Sequence, residues 1–358
     1  MKFAKNIATH TQIPHGGLYS IGNPGSQVID FSSNVNPLGY PLSLKKLLKN
    51  WMAKISVYPD HASVRLKKQL TKYLDVHVDH LVVGNGATEV IYNFCRATVG
   101  KKTQVLIPIP TFGEYEAAAR LCDGKLQFFK TMNLEEDLPK FVKKIPKKGA
   151  VFVCNPNNPT GVLISKDSML KIVRAAKTRD TLVFVDECFM ELTQDAHQSV
   201  IDQISKFENL FVLGSLTKSF GLAGLRVGYG IGNKKLVSVL NKIKIPWSIN
   251  GVAQEAATLA LSDANFLAKT RKLLKTESAF LRNSISVLDG FSCFDTSANF
   301  ILIKTKTSSK ILQKKLIQKK ILIRDCSTFR GLGKNYIRIA VKTHDENVKL
   351  INALGGLS

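Results

Sequence analysis

The first pattern along the chain is a series of short apolar runs separated by amphipathic stretches. The runs are continuous rather than alternating, which is typical of strands buried on both faces of a parallel sheet. They are LVVG from residue 81, VLIPIP from 105, AVFVC from 150, LVFVDE from 182, LFVLGS from 210 and VGYGIG from 227. Because helical patterns alternate with these runs, the sequence predicts an α/β fold with a mostly parallel sheet.

Two stretches between the runs predict helices with one apolar face. The stretch SKDSMLKIVRAAKTRD starts at Ser165, a candidate N-cap, and TEVIYNFCRA starts near Thr88. Apolar residues at helical spacing form the inner face of each. In the first helix they are Met169, Ile172, Val173 and Ala176, and in the second they are Ile91, Phe94 and Cys95.

The pattern of apolar and polar residues changes after about residue 245. One long helical region is expected over 250–288. It is followed by ANFILIKT, SSKILQKKLIQKK, ILIRDC, YIRIAVKT and DENVKLINAL, a pattern of a smaller α/β domain. The first 40 residues are rich in Gly, Pro and Asn and predict an arm rather than a packed element. We therefore expect an arm over 1–40, a large domain over 41–245, and a small domain over 246–358 with which the arm packs.

The net charge bears on which classes of partner the protein can bind. The 51 Lys and Arg residues exceed the 27 Asp and Glu residues, giving a net charge of +24. The lysines are dispersed as pairs without a dense basic tract, which argues against specific nucleic-acid binding, and a basic surface also suits anionic small substrates. A nucleic-acid-binding or regulatory protein on the same fold stays open as a remote alternative.

The six cysteines form no CxxC pair, so we expect no metal site and interpret them as small buried hydrophobes. No uncharged apolar run reaches the roughly 18 residues of a membrane span, and the first residues lack a signal-peptide core. We therefore expect a cytoplasmic protein without a membrane segment.

Two turns that follow apolar runs are candidates for ligand binding. In VVGNGATEV, the glycines around Gly86 precede a helix whose free N–H groups suit phosphate. The alternative interpretation is a simple strand-to-helix turn without a ligand. In CNPNNPTG, Asn157 and Asn158 stand where the amides of a rigid turn can reach a ligand at the carboxyl end of a strand.

Two charged residues also stand in otherwise apolar segments. Asp186 ends LVFVDE, where a carboxylate is costly unless it is paired, and a protonated ring nitrogen would keep it ionised; a helix cap or a buried salt bridge is the alternative. Lys218 lies in GSLTKSFGLAGLRVGYGIG, where an apolar pocket favours a neutral, nucleophilic amine. Ser215 and Arg226 lie close enough in sequence to hold a phosphate beside it. Together these features describe a pyridoxal phosphate site.

The order GNGATE, PTFGEY, NPNNPTG, DECF and SLTK, with an arginine eight residues on, resembles the fold-type I pyridoxal-phosphate enzymes of the aminotransferase superfamily over essentially the whole chain. The resemblance implies the fold-type I PLP-dependent transferase fold, with a mostly parallel seven-stranded sheet and a smaller C-terminal α/β domain. It also implies a homodimer with shared active sites.

The resemblance further assigns roles in the cofactor site. It implies that Lys218 carries the cofactor covalently, that Asp186 pairs with the pyridine nitrogen, and that Phe112 stacks on the ring. Asn158 would contact the ring hydroxyl, and Arg338 would bind the substrate carboxylate. The cofactor phosphate would be held by Gly86, Ala87, Thr88, Ser215, Arg226 and Tyr58 of the neighbouring subunit.

Two families within the superfamily compete. One is the L-threonine O-3-phosphate decarboxylases of cobalamin biosynthesis, and the other is the histidinol-phosphate aminotransferases. The stretches HGG, DFSSNVNPLG, PWSIN and ILIRDCSTFRGLG resemble the decarboxylases. So does Phe189, because many aminotransferases have a tyrosine there whose phenol donates a hydrogen bond that phenylalanine lacks. The resemblance implies that His15, Asn34 and Arg324 meet a substrate phosphate.

Overall fold

The computed structural model describes residues 5–22 and 27–357. Strands alternate with helices along this part of the chain, as the apolar runs predict. The strands are β1 (Ile29–Asp30), β2 (Leu81–Gly84), β3 (Gln104–Ile109), β4 (Lys125–Lys130), β5 (Ala150–Cys154), β6 (Leu182–Asp186), β7 (Leu210–Ser215), β8 (Gly228–Gly232), β9 (Phe291–Cys293), β10 (Phe300–Thr305), β11 (Ile321–Leu322), β12 (Arg324–Asp325) and β13 (Tyr336–Ala340).

The helices fall between and after these strands, and short 3-10 turns join several of them. The α-helices are α1 (Lys5–Ala8), α2 (Leu44–Trp51), α3 (Val64–Leu74), α4 (Gly86–Thr98), α5 (Glu114–Leu121), α6 (Leu138–Lys144), α7 (Lys166–Lys177), α8 (Leu216–Ser219), α9 (Lys234–Ile243), α10 (Gly251–Ala260), α11 (Phe266–Ser286), α12 (Ser309–Gln318) and α13 (His344–Gly355).

Seven strands form the large sheet in the spatial order β2-β8-β7-β6-β5-β3-β4. Only β8 runs against its neighbours β7 and β2, and the other pairings are parallel, which confirms the predicted fold class. The six apolar runs form six of these strands. The seventh, β4, was not predicted, because its sequence KLQFFK is only partly buried at the edge of the sheet.

The predicted amphipathic helices pack against this sheet. Ser165 caps α7 by accepting a hydrogen bond from the Ser168 amide, as predicted. In α4, the ring of Phe94 lies 4.8 Å from Phe184 and 5.1 Å from Phe211, centroid to centroid. All three side chains are fully buried, and each contributes about 1.5–3 kcal/mol by leaving water. This apolar contact fixes α4 under the sheet, with its N-terminus at the carboxyl ends of the strands.

The second half of the chain builds a four-stranded antiparallel sheet in the order β12-β13-β10-β9. The helical region expected over 250–288 is two helices, α10 and α11, because residues 261–265 interrupt the helix. None of the helices in the described residues is both long and apolar enough to cross a membrane.

The residues around Phe31 in the N-terminal region pack against strands from the second half of the chain. Ile29 pairs with Ile321 in a short parallel ladder, and the Phe31 amide donates to the Leu322 carbonyl at 2.7 Å. The Phe31 carbonyl in turn accepts from the Ala340 amide at 2.8 Å, and its side chain is fully buried. Backbone hydrogen bonds thus hold the residues around Phe31 against β11 and β13, while the predicted arm over 1–40 that packs with a small domain stays a prediction.

Candidate active site

A cleft of about 1170 Å³ opens where the carboxyl ends of β3, β5, β6 and β7 meet the N-terminus of α4. This edge is where parallel α/β sheets bind ligands. Most of the residues singled out in the sequence line it. They are His15, Asn34, Ala87, Thr88, Phe112, Asn158, Asp186, Ser215, Lys218, Arg226, Arg324 and Arg338.

Lys218 stands in the one-turn helix α8, directly after β7. Ser215 caps this turn through the Thr217 amide, and its hydroxyl lies 2.7 Å from the Thr217 hydroxyl. Burial, together with the positive charges of Arg338 and Arg226, lowers the pKa of Lys218 to about 8. The amine therefore loses its proton far more readily than a surface lysine, as a nucleophile requires.

Asp186 ends β6 and is only 5% exposed. Its carboxylate accepts hydrogen bonds from the Tyr115 hydroxyl at 2.6 Å and from the Cys188 amide at 2.9 Å. No ion pair in the described part of the chain involves it. Burial raises the pKa of Asp186. A buried carboxylate at the cleft that has no ion-pair partner among the described residues suits a positively charged ligand atom.

The N-terminus of α4 forms a tight cradle with Arg226. Gly86 has a φ of 79°, and a Cβ on it would lie 2.4 Å from Nη2 of Arg226. Gly228 is equally restricted, because a Cβ there would lie 2.3 Å from the Ala87 amide nitrogen. Free helix amides and a guanidinium at this spacing suit a phosphate group. Arg226 itself has a φ of 64°, a left-handed conformation that costs a non-glycine residue about 1 kcal/mol.

Pyridoxal phosphate has three groups for which the cleft must supply partners. A lysine with a lowered pKa, a buried carboxylate without a cationic partner, and a glycine cradle beside Arg226 match its aldehyde, pyridine nitrogen and phosphate, in that order. Phe112 lies at the same cleft with its ring centroid 5.7 Å from that of Tyr115. The residues present therefore fit the cofactor.

Arg338 lies in β13 and is almost fully buried. Its guanidinium donates hydrogen bonds to the Asn158 side-chain oxygen and, at 2.9 Å, to the Ser32 carbonyl, and it lies 5.2 Å from the Phe300 ring centroid. Its Nε has no hydrogen-bond partner among the described residues. Burial lowers the pKa of Arg338 to about 10, so it is still a cation at neutral pH. It can therefore bind an anion in the cleft.

Arg324 and Arg338 are direct partners in the antiparallel pairing of β12 with β13. Paired residues of this kind place their side chains on the same face of a sheet. The Arg324 guanidinium donates to the Pro14 carbonyl at 2.5 Å and lies 5.5 Å from the Phe329 ring centroid. The cleft therefore has two neighbouring guanidinium groups on one face.

His15 and Asn34 line the cleft together with the two arginines. The His15 Nε2 lies 2.6 Å from a Glu114 carboxylate oxygen, and its ring centroid is 5.9 Å from that of Phe112. Burial pushes the pKa of Glu114 up, but hydrogen bonds from His15 and Tyr92 outweigh this effect and leave it lowered. The Asn34 side-chain oxygen is buried without a hydrogen-bond partner among the described residues.

Tyr58 stands apart from this cleft. Its side chain is 81% exposed, and its ring centroid lies 5.3 Å from that of Trp247. Trp247 is half exposed, and Tyr58 also lines a small groove together with Trp51 and Val57. The cleft of one chain is thus built without Tyr58.

Sequence reasoning missed two residues that shape the site, Tyr115 and Glu114. Both lie in the motif PTFGEY, only a few residues after Phe112. Tyr115 donates to Asp186, and Glu114 holds His15. The motif itself was the available signal for Tyr115, since residues three apart at the start of a helix, such as Phe112 and Tyr115, lie close to one another.

Comparison with known proteins agrees with this geometry. Residues 26–354 match the family model described as aminotransferase class I and II. A protein of Caldanaerobacter subterraneus subsp. tengcongensis, named "Putative threonine-phosphate decarboxylase", is 37% identical over 333 residues, which cover 91% of this chain and 89% of that protein.

Two solved structures are similar to nearly the same extent. The histidinol-phosphate aminotransferase from Clostridium acetobutylicum is 31% identical, and the L-threonine-O-3-phosphate decarboxylase from Porphyromonas gingivalis is 29% identical. Each has a TM-score of 0.84, and each comparison covers 92% of this chain and 99% of the other.

Proposed function

Because this chain belongs to the aminotransferase class I and II family, we propose that it decarboxylates L-threonine O-3-phosphate to (R)-1-amino-2-propanol O-2-phosphate and carbon dioxide. Enzymes of this family depend on pyridoxal phosphate, and the residues around Lys218 fit that cofactor. The substrate is a phosphorylated amino acid, which the cations of the cleft would attract.

The pairing of Arg324 with Arg338 carries this proposal. A phosphorylated amino acid of three or four carbons has a carboxylate and a phosphate a few atoms apart. Two guanidinium groups on the same face of neighbouring strands match that arrangement, because each can bind one anion in a bidentate manner. Arg338 would bind the carboxylate, and Arg324 would bind the phosphate with His15 and Asn34.

The side chains around the cofactor position have separate tasks. Lys218 would hold it covalently, and Asp186 would keep a proton on the pyridine nitrogen. Asn158 would bind the ring oxygen, Phe112 would cover the ring, and Gly86, Ala87, Thr88, Ser215 and Arg226 would bind the phosphate. When bound, pyridoxal phosphate supplies an electron sink for the pair left by a broken bond at Cα.

Arg338 would hold the substrate carboxylate in a fixed orientation in the cleft. Decarboxylation would break the Cα–carboxylate bond heterolytically, and carbon dioxide would leave without the bonding pair. Lys218 then donates a proton to Cα, so a Cα–H bond replaces the Cα–C bond. The amine of Lys218 suits proton transfer near neutral pH, because burial and the two arginines lower its pKa to about 8.

Phe189 supports decarboxylation over transamination. It is buried and packs edge-on against Phe300, with ring centroids 5.1 Å apart. Its position therefore offers no phenolic hydroxyl to the cofactor, unlike the tyrosine of many aminotransferases. The similarity to the Caldanaerobacter protein supports the same choice.

A histidinol-phosphate aminotransferase is the second candidate. The Clostridium acetobutylicum enzyme of that name matches this chain with the same TM-score as the Porphyromonas gingivalis decarboxylase. Arg338 would then bind the carboxylate of the amino-acid co-substrate, and Arg324 would still bind a phosphate.

One experiment separates the two candidates. The cofactor-loaded protein is incubated with L-threonine O-3-phosphate and carbon dioxide is measured. In parallel, it is given histidinol phosphate with 2-oxoglutarate, and glutamate is measured. Carbon dioxide without glutamate is expected, whereas glutamate without carbon dioxide would overturn the proposal in favour of the aminotransferase.

The exposed position of Tyr58 supports a homodimer with shared sites. Its ring is far more exposed than an aromatic side chain with a structural role in one chain would be, and it lies beside the exposed Trp247. In the proposed dimer, Tyr58 reaches the cofactor phosphate of the neighbouring subunit. Each site would then be complete only in the assembled pair.

A further inference from the structure

Asn36 lies directly behind the helix turn that holds Lys218. It is almost fully buried, and its backbone amide donates to the Lys218 carbonyl at 3.1 Å. Its side-chain amide donates to the Ser219 carbonyl at 2.6 Å. One residue of the N-terminal region therefore binds two consecutive carbonyls at the end of α8.

These two carbonyls need external donors. The last carbonyls of a helix have no intrahelical partner, and a helix of one turn such as α8 has no later turn to supply one. The chain turns away immediately at Gly221, which has a φ of 66°. A Cβ on Gly221 would lie 2.0 Å from the Gly39 carbonyl oxygen, so the loop that contains Asn36 packs closely against this turn.

The side chain of Asn36 also reaches a third element. Its amide donates to the Thr270 hydroxyl of α11 at 2.9 Å, and its oxygen accepts from the Leu38 amide at 2.9 Å. The Thr270 hydroxyl is fixed in turn by its bond to the Phe266 carbonyl. Asn36 thus uses both amide protons and its oxygen, and it connects the lysine turn to a helix of the second half of the chain.

We propose that Asn36 is a positioning residue for Lys218, and that Thr270 fixes the orientation of its amide. Asn36 fixes the position of α8 in the cleft and therefore the position of the lysine amine relative to Arg338 and Arg226. The inference rests on Lys218 as the cofactor lysine and not on which reaction follows.

The groups whose charges bear on the lysine amine are Arg338, Arg226, Cys188 and Asp30. In Asn36→Ala the backbone bond to the Lys218 carbonyl remains, but α8 loses the side-chain bond to the Ser219 carbonyl, so the amine moves outward, into water and away from the two guanidiniums. Both changes favour the protonated form. In Asn36→Ala, the pH midpoint of the visible absorbance band of the lysine-bound cofactor should therefore rise, by about half a unit or more.

Turnover should respond in a matching way. A lysine displaced by a fraction of an ångström loses alignment with Cα, so kcat should fall about tenfold or more while KM changes little. Thr270→Val should shift the absorbance midpoint in the same direction but less. Thr270→Ser keeps the hydroxyl and should restore the wild-type midpoint.

Asn209→Ala is the matched control. The Asn209 amide also donates to two backbone carbonyls, those of Val173 and Thr181, at 3.1 Å each, but neither belongs to the lysine turn α8. A loss of thermal stability common to both alanine variants, with an unchanged absorbance midpoint in Asn36→Ala and Thr270→Val, would overturn the inference. Loss of the band in Lys218→Ala tests the cofactor lysine separately, so failure of that assignment is distinguishable.

Discussion

The Tyr115 hydroxyl donates a 2.6 Å hydrogen bond to Asp186, and both side chains are buried. Burial raises the pKa of Asp186, whereas this bond lowers it. Tyr115 therefore helps to keep the carboxylate ionised, which it must be in order to hold a proton on the ring nitrogen of the cofactor.

Replacing this hydroxyl should weaken cofactor binding. In Tyr115→Phe, one hydrogen bond to a buried carboxylate is lost, and such bonds are worth about 1.5–3 kcal/mol. The dissociation constant for pyridoxal phosphate, measured by absorbance titration, should rise about tenfold to a hundredfold. Tyr336→Phe, at a tyrosine that does not line the cleft, should leave it unchanged. Equal affinities in all three proteins would exclude the role of Tyr115.

The glycine cradle leads to a second prediction. In Gly86→Ala, the new methyl group would overlap Arg226, and the left-handed backbone would add about 1–2 kcal/mol of strain. The cofactor should bind at least tenfold more weakly in equilibrium titrations. Gly100→Ala is the control, because nothing lies within 4 Å of a Cβ there. Normal affinity in Gly86→Ala would contradict a phosphate site at this position.

The lowered pKa of Lys218 makes its reactivity dependent on pH. Only the neutral amine is nucleophilic, so the rate of its covalent labelling in cofactor-free protein should rise with pH and level off above about 8. Burial is the main cause of the lowered pKa, and Arg338 adds to it. Arg338→Met should therefore move the midpoint upward, towards the ordinary value of a lysine. Peptide mass spectrometry measures the labelling, and a wild-type midpoint near 10 would refute this view of the site.

Arg324 should recognise the phosphate group alone. In Arg324→Gln, KM for L-threonine O-3-phosphate should rise about tenfold to a hundredfold, since a charged hydrogen-bonded contact is worth about 1.5–3 kcal/mol. For unphosphorylated threonine, which lacks the phosphate, kcat/KM should be the same in Arg324→Gln as in the wild type. Arg282→Gln, which removes an exposed ion pair with Asp295, is the control. An equal loss for both substrates in Arg324→Gln would mean that Arg324 does not read the phosphate.

The sequence predicted the strands of the large sheet because their apolar runs are buried on both faces. It did not predict β4, whose side chains are half exposed and whose ends are Lys125 and Lys130. The break between α10 and α11 was also missed, because it contains neither Gly nor Pro. Local composition therefore predicted the buried strands, but it contained no signal for the edge strand β4 or for the break between the two helices.

Within the site, residues with a chemical signature were predictable and residues that act through contacts were not. Lys218 and Asp186 stand out as charges in apolar segments. The role of Asn36 depends on contacts with residues more than 180 positions away, which no local pattern contains. Packing of the region around Phe31 likewise depends on strands near the other end of the chain.

Shared active sites lead to the last prediction. If Tyr58 serves the neighbouring subunit, Lys218→Ala in one chain and Tyr58→Ala in the other damage the same site of a mixed dimer. One site then has both substitutions, and the other has neither. Unfolding and refolding an equal mixture should give about a quarter of the wild-type activity, because half of the dimers are mixed and each has one intact site. Activity no greater than the average of the two separate variants would show that Tyr58 serves its own chain or none, since only sharing creates an intact site from two damaged proteins.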